Sequence, residues 1–564
     1  MRFEEYKYER PDVAKLKSEF EALLSEFKKS DSLEKQIQAI EEINKLRRHF
    51  NTMSTLVSIR HSINTEDEFY KNEQDFMDEI APEIEGLVTE YYKVLVSSSY
   101  RTQLEEKYGE QLFKLAECQL NSFKPEIIPL LQKENKLTTE YTKLLASAKI
   151  PFEGEERTLA QMVPFMESTD RKMRKRAHEA AYGFMVDHQE ELDRIYDDLV
   201  KVRTEIAKQL GYKNFVELAY YRMQRTDYNA EMVANFRKQV EEFIVPIATK
   251  LKERQRVRIG VDKLKYYDEP LNFLSGNPTP KGSPEWIIEN GKKMYKELSP
   301  ETDEFFTYMV ENNLMDLVAK KGKAGGGYCT IIEDYESPFI FSNFNGTSGD
   351  IDVLTHEAGH AFQVYLSRKI GIPEYAFPTY EACEIHSMSM EFFTYPWMEL
   401  FFKEDTEKYK FSHLASALLF LPYGVAVDEF QHWVYENPEA TPKERKQAWR
   451  KIEKKYQPHK DYDGFEYLEN GGLWQRQGHI YNSPFYYIDY TLAQICAFQF
   501  WKKSQEDHQK AWNDYVALCK LGGSKSFLNL VEAAGLISPF EDGCVQSVVD
   551  MLERKLDSID DSKL

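Results

Sequence analysis

The sequence predicts a mostly α-helical protein, and three observations carry that prediction. Apolar residues recur three and four apart through most of the chain, the spacing of a helix with one buried face. Segments with strand character occur in one short region only, and breaks rich in Gly, Pro and Asn are few. From Asp12 to about Leu145 one charged amphipathic helix follows another, and Leu16, Phe20, Leu23, Leu24 and Phe27 form one apolar stripe. The run Ser32-Leu33-Glu34-Lys35-Gln36, with Asp31 before it, reads as a capping box and a helix start. A break at Ile150-Pro151-Phe152-Glu153-Gly154-Glu155 precedes a helix opened by Thr169-Asp170. The basic run on that helix reads as a solvated face rather than a nucleic-acid site. Residues 269–283 are dense in Pro, Gly and Asn and predict a long surface loop. Tyr328 to Tyr335 and Pro338 to Phe344, bounded by Gly, Pro and Asn, predict one small sheet or hairpin. Helices then resume from Gly349 almost to the C-terminus, interrupted around Gly464 to Gly478 and near Ser538-Pro539.

Composition excludes several classes of function. With 564 residues, 42% hydrophobic and 30% charged, the chain can bury a sizeable core and stay soluble. By length it holds three to four units, or one large helical body with subdomains. Lys+Arg 73 against Asp+Glu 94 leaves a net charge of −21, which repels a phosphate backbone and an anionic leaflet. We therefore expect no nucleic-acid and no membrane partner. The first residues carry acids and bases without an apolar core, so they do not read as a secretory signal, and a cytoplasmic location is expected. The apolar run Leu414 to Val427 contains Ser416, Pro422 and Gly424 and falls short of the roughly 20 residues a membrane helix needs. Six scattered cysteines (Cys118, Cys329, Cys383, Cys496, Cys519 and Cys544) without a C-x-x-C pair are expected to be reduced thiols.

The chemistry concentrates after the strand-like segment, in Thr355-His356-Glu357-Ala358-Gly359-His360. On a helix, residues four apart project from one face about one turn apart, which suits two nitrogen ligands to one zinc ion. Glu357 is rotated by about 100° from His356, so it can reach a water at the metal without binding the metal. A second segment that begins the same way, His178-Glu179-Ala180-Ala181-Tyr182, lacks the second histidine and reads as ordinary helix surface. A hydrolytic zinc site keeps three protein ligands, and Glu381, Cys383, Glu384, His386 and Glu391 all offer suitable atoms on a helix 25 to 35 residues downstream. A carboxylate is the common partner of two histidines in peptidases, which favours the glutamates. Glu384 and Glu391 stand two turns apart on one face, so one can ligate while the other supports the site. Asp352, one turn before His356, is a candidate for orienting its imidazole.

These residues resemble a known family. His356-Glu357-Ala358-Gly359-His360, followed 24 residues later by Glu384 within Glu-Ile-His-Ser-Met-Ser-Met-Glu, is similar to the motif of the thimet oligopeptidase and oligoendopeptidase F group of zinc metallopeptidases, most of all its bacterial Pz-peptidase branch. The helical N-terminal half, the loop Gly325-Gly326-Gly327-Tyr328 and the segment Ser337 to Phe344 match as well. The resemblance implies that Glu384 is the third ligand of one zinc ion per chain. It also implies that His479 and Tyr490, with Tyr486 and Tyr487 beside them, face the metal and donate hydrogen bonds to the substrate carbonyl and oxyanion.

The fold implied is a two-lobed, almost wholly helical body with the site deep in a central channel. Residues 1–165 would form the N-terminal lobe and 166–564 the catalytic domain. The activity implied is that of an oligoendopeptidase, cutting short unstructured peptides, including Pro- and Gly-containing collagen-derived ones, and excluding folded proteins. Phe339 to Phe344 would pair main chain to main chain with an extended substrate. Two rivals differ in their demands. A carboxypeptidase or dipeptidase needs a basic residue for the substrate's terminal carboxylate, for which Arg476 and Arg368 are distant candidates, and a helical peptide-binding scaffold with structural zinc needs no base at Glu357.

Overall fold

The computed structural model describes residues 1–320, 322–324 and 326–564, so Gly326 and Gly327 of the glycine loop fall within the described residues and Gly325 outside them. Regular structure is helical almost throughout. The first long helix, Val13–Lys29, is capped by the Asp12 side chain, which accepts from the Lys15 N–H, and it buries Phe20, Leu24 and Phe27 of the expected stripe. The next helix, Leu33–Ile63, does start after Ser32, but the Ser32 side chain makes no cap bond. A capping box needs Glu or Gln at the third helical position, where this chain has Lys35.

The helix Arg171–Asp187 begins at Asp170, as expected, and its basic face is solvated apart from the buried Arg174, with several of its cations held in ion pairs. Arg171 and Arg174 share Asp268 at 2.8 Å, Lys175 meets Asp463 at 2.9 Å, and Arg176 meets Glu153 at 2.5 Å. His178 on this helix is buried rather than surface-facing. Its Nδ1 bonds the Arg174 carbonyl at 2.8 Å, and its ring meets Tyr266 edge-on.

Two small sheets are present instead of the one expected. The break at Ile150 to Glu155 is itself a ribbon, in which β1 (Ile150–Phe152) pairs antiparallel with β2 (Glu155–Arg157). Glu153 and Gly154 both take positive φ (49° and 79°), the geometry that lets a two-residue turn follow the strand twist. The second sheet has order β3-β5-β4, with β3 (Met315–Val318) parallel to β5 (Ser337–Phe344) and β4 (Tyr328–Ile332) antiparallel to it. Thr330 faces Phe339 and Tyr328 faces Phe341. β5 is therefore central, and both its edges are taken. It cannot pair with a substrate backbone, contrary to expectation; among the described residues the outer edges of β3 and β4 have no strand partner, and that of β4 lies beside the glycine loop.

The stretch Glu399–Glu436 is long and apolar enough to cross a bilayer by length and composition. Its main part, the long helix Thr406–Glu436, instead runs through the core, burying Leu418, Leu421, Val425 and Phe430 along with Asp428 and His432. The N-terminal residues border the catalytic region at several places. Tyr6 bonds Ser337 at the start of β5 (2.8 Å), and Arg47 pairs with Glu374 (2.5 Å). Further along, Tyr141 stacks on Tyr481 at 3.8 Å, and its hydroxyl donates to the Gln475 carbonyl. All six cysteines are free thiols.

Candidate active site

The turn after β5 is pinned by Asp350, whose carboxylate accepts from the N–H groups of Asn345 and Gly346, both at 2.8 Å. From this turn rises the motif helix Gly349–Ser367, which carries His356 and His360 with ring centres 5.1 Å apart. The ligand helix Tyr380–Phe393 crosses it at backbone contact. A Cβ on Gly359 would lie 2.6 Å from the His386 carbonyl oxygen and 2.7 Å from Ser387 Cα, so no larger residue fits between the helices. This approach brings Glu384 Oε2 to 3.2 Å from His356 Nε2 and 3.5 Å from His360 Nε2. The three donor atoms lie within 4.8 Å of one another and form a candidate metal-binding cluster.

Glu391 holds the other side of His356. Its Oε1 accepts from His356 Nδ1 at 2.7 Å, which leaves Nε2 directed at the cluster. Its Oε2 accepts from His413 Nε2 at 2.7 Å, and His413 Nδ1 meets the Tyr395 hydroxyl at 2.6 Å. Asp352 does not orient His356; it accepts from the Tyr409 hydroxyl at 2.6 Å.

Burial penalises every charge here, yet the neighbouring histidines hold Glu384 and Glu391 ionised. Burial opposes the charge on Glu384, but His360 and His356 outweigh it and hold its carboxyl well below the ordinary range. Burial opposes charge on His356 too, and the hydrogen bonds to Glu384 and Glu391 overcome it, so this imidazole binds its proton far more tightly than usual. Two carboxylates thus demand positive charge at this point. A dication held by two imidazole nitrogens and one carboxylate oxygen supplies it, and the donor set fits zinc. Glu357, 7% exposed, is shifted the other way, upward, mainly by burial. Its carboxyl is also 3.7 Å from where a Cβ on Gly327 would stand, so the glycine loop passes directly over it.

The other residues of the ligand helix lie outside the cluster. Cys383 bonds the Pro378 carbonyl at 3.2 Å. His386 is fully buried with both ring nitrogens unpartnered, and burial pushes its pKa down to about 3. Glu381 is buried beside Asp489, which pairs with Arg225 at 2.9 Å. Arg368, at the end of the motif helix, turns back onto the Tyr365 ring and carbonyl.

His479 stands in a cage of three tyrosines, with ring centres 5.0 Å from Tyr487 and 5.8 Å from Tyr486 and Tyr490. The Gln477 amide donates to His479 Nδ1 at 2.9 Å, and the Gln477 carbonyl oxygen in turn accepts from the Tyr423 hydroxyl at 2.8 Å. That fixes the tautomer with the proton on Nε2, a donor. Tyr490 feels the charges of Glu384 and Glu357, and Tyr486 that of Glu384, after burial as the larger cause of their raised pKa values. Tyr487 instead packs on Phe420 and Tyr423 and feels Arg476. The turn that delivers these tyrosines is strained: Phe485 has φ 68°, held by Gln431 on its N–H (2.9 Å) and Arg225 on its carbonyl (2.5 Å).

Sequence reasoning missed His413, Gln477 and the packing role of Gly359. Only Gly359 left a signal, as a glycine inside an apolar helix.

Comparison with known proteins places these observations. Residues 3–123 match the Peptidase M3 N-terminal domain, and residues 164–274 and 290–549 match Peptidase family M3. Oligopeptidase PepF of Bacillus subtilis is 22% identical over 95% of this chain and 82% of its own. An oligoendopeptidase F homolog of Borreliella burgdorferi is 24% identical over 76% of this chain and 75% of its own. Among solved structures, Pz peptidase A with inhibitor 2 superposes with a TM-score of 0.94 at 69% identity, covering 100% of both chains. Fold, motif helix and sequence agree, and the chain belongs to peptidase family M3.

Proposed function

We propose that this M3 peptidase is a zinc-dependent oligoendopeptidase that hydrolyses internal bonds of short unstructured peptides and excludes folded proteins. Peptides containing Pro and Gly, of the collagen-derived kind, fall within its range by the resemblance to the Pz-peptidase branch of the family. The observation that supports the reading most is the convergence of His356, His360 and Glu384 beside a buried, unligated Glu357. His356, His360 and Glu384 would hold one zinc ion per chain, which when bound supplies Lewis-acid polarisation and a water acidified toward a pKa of about 7.

Glu357 takes a proton from the attacking water and delivers it to the leaving nitrogen. Its raised pKa suits it to both halves of that transfer. His479 donates from Nε2 to the developing oxyanion. Tyr490, with Tyr486 beside it, donates a second bond, and such a donor is worth about 3 kcal/mol in the transition state. Tyr487 forms the cleft wall behind His479. An extended peptide pairs along the open edge of β4, from Gly327 to Thr330, over Glu357.

Residues 1–165 act as one helical lobe and 166–564 as the catalytic domain, enclosing one channel between them. The enzyme works in the cytoplasm on free peptides, without nucleic-acid or membrane partners. The test is a ten-residue peptide blocked at both ends, given to the parent and to Glu357→Gln. Internal cleavage by the parent, with zinc retained and turnover lost at least a thousandfold in the variant, is the expected result. Inertness of the blocked peptide would favour an exopeptidase, and a variant that cleaves at the parental rate would remove Glu357 from the mechanism.

A further inference from the structure

Arg225 is buried, and its side chain directs every hydrogen bond it makes at one turn. Its Nη2 donates to the Phe485 carbonyl oxygen at 2.5 Å and to Asp489 Oδ1 at 2.9 Å. Among the described residues its Nε and Nη1 have no hydrogen-bond partner. The guanidinium instead lies over the Tyr220 ring at 4.4 Å and the Tyr228 ring at 5.5 Å, where its charge meets aromatic faces rather than water.

That turn delivers two of the tyrosines that face the metal cluster. Tyr486 immediately precedes the helix Tyr487–Glu506 and Tyr490 ends its first turn, with ring centres 5.0 Å apart. Phe485 before them has φ 68°, a conformation that bulky residues avoid and that persists only where the surroundings enforce it. Side chains from other elements hold both of its backbone polar groups, Gln431 the N–H and Arg225 the carbonyl. The second grip of Arg225, on Asp489, fixes the rotation of the first helical turn and so the direction in which Tyr490 projects. Charge ties the ligand helix to the same point. Glu381, one turn before Glu384, is buried and feels the charges of both Asp489 and Arg225. Without a cation beside them, two buried acids on packed helices repel each other, and those helices carry Glu384 and Tyr490.

From this arrangement we infer that Arg225 is a positioning residue for the reaction: by gripping the Phe485 carbonyl and the Asp489 carboxylate from one nitrogen, it sets where the Tyr490 hydroxyl, with Tyr486 beside it, meets the developing oxyanion. Arg225 acts through these tyrosines and not on the substrate. The inference rests on the reading of Tyr490 as an oxyanion donor. A donor displaced by about 1 Å forfeits about a hundredfold in rate, and the loss falls on kcat because the bond forms fully only in the transition state.

The experiment is a double-mutant cycle on the zinc-loaded enzyme with the blocked peptide, using Arg225→Met, Tyr490→Phe and the two together. Arg225→Met is expected to lower kcat about thirty- to a hundredfold with KM nearly constant. Arg225→Lys, whose ammonium keeps the charge and has donors for both acceptors, should recover about tenfold of that loss. In the Tyr490→Phe background, Arg225→Met should cost no more than about threefold, because the donor it positions is gone. Zinc affinity, read by chelator competition, should match that of the parent in every variant. Losses that multiply in the pair would make Arg225 an independent structural element and overturn the inference alone. A zinc affinity that falls in step with kcat, or a folded Arg225→Met with parental kcat, would do the same. If Arg225→Met does not fold, Asp489→Asn, which keeps the shape and removes the charge that Arg225 grips, enters the same cycle, with a non-additive loss expected and a multiplicative loss or a parental kcat overturning the inference. Parental kcat in Tyr490→Phe would overturn the donor reading and the inference with it.

Discussion

Replacing Gly359 by Ala tests whether close helix contact sets the geometry of the candidate metal cluster. The added Cβ would stand 2.6 Å from the His386 carbonyl oxygen, 2.7 Å from Ser387 Cα and 3.0 Å from the His386 carbonyl carbon. All three are backbone atoms, so no side chain can swing aside. Ordinary contact begins near 3.4 Å, and the two helices must part by about 0.8 Å. Glu384 precedes His386 by two residues on the moving helix, while both histidines stay on the other. Metal–ligand distances tolerate about 0.2 Å, so a displacement several times larger removes the third ligand. Overpacking adds a stability cost of about 1–3 kcal/mol. Zinc titration with a competing chromophoric chelator, alongside a thermal melt without metal, separates the two effects. We expect zinc affinity to fall by at least a hundredfold while the metal-free melting temperature drops by only a few degrees. Parental zinc affinity in a folded Gly359→Ala protein would refute the claim that this contact positions Glu384.

Other expectations follow from the same geometry. Glu391→Gln and His413→Ala should each weaken zinc binding about 10- to 100-fold by loosening His356, whereas Asp352→Asn should leave it unchanged; competition titration decides. Tyr490→Phe should lower kcat about a hundredfold with KM nearly constant, read by steady-state kinetics on the blocked peptide. The buried Glu381 beside Asp489 is pushed up to about 8, by burial first and by the Asp489 charge second. An acid raised in this way contributes its stability below its unfolded pKa, near 4.5, and loses it as pH climbs toward 8. Glu381→Gln should therefore flatten the fall in melting temperature between pH 5 and pH 8, by about 1–3 kcal/mol of stability. An unchanged slope would place the titration elsewhere.

What could be read in advance was what depends on spacing along a helix. Four residues put His356 and His360 on one face, and seven put Glu384 and Glu391 on another, where they clasp His356 from its two nitrogens. The spacing left five candidates for the third ligand, and resemblance rather than geometry pointed to Glu384. Contacts through space were not legible. His413 reaches Glu391 from a helix that periodicity describes only as apolar, and Asp352, well placed on paper, is captured by Tyr409. β5, buried on both faces, is the central strand, with its backbone paired to β3 on one side and β4 on the other, so the open edges belong to β3 and β4, an order that the two strand-like segments did not reveal. His178 sits in a charged run that reads as surface, and only the packed Tyr266 shows otherwise.

The most direct test of the account is an anomalous difference map at the zinc edge from crystals of the purified protein. A single peak about 2.0–2.2 Å from His356 Nε2, His360 Nε2 and a Glu384 oxygen, with Glu357 outside bonding distance, is the predicted result. A metal bound elsewhere, or a Glu357 oxygen among its ligands, would contradict it.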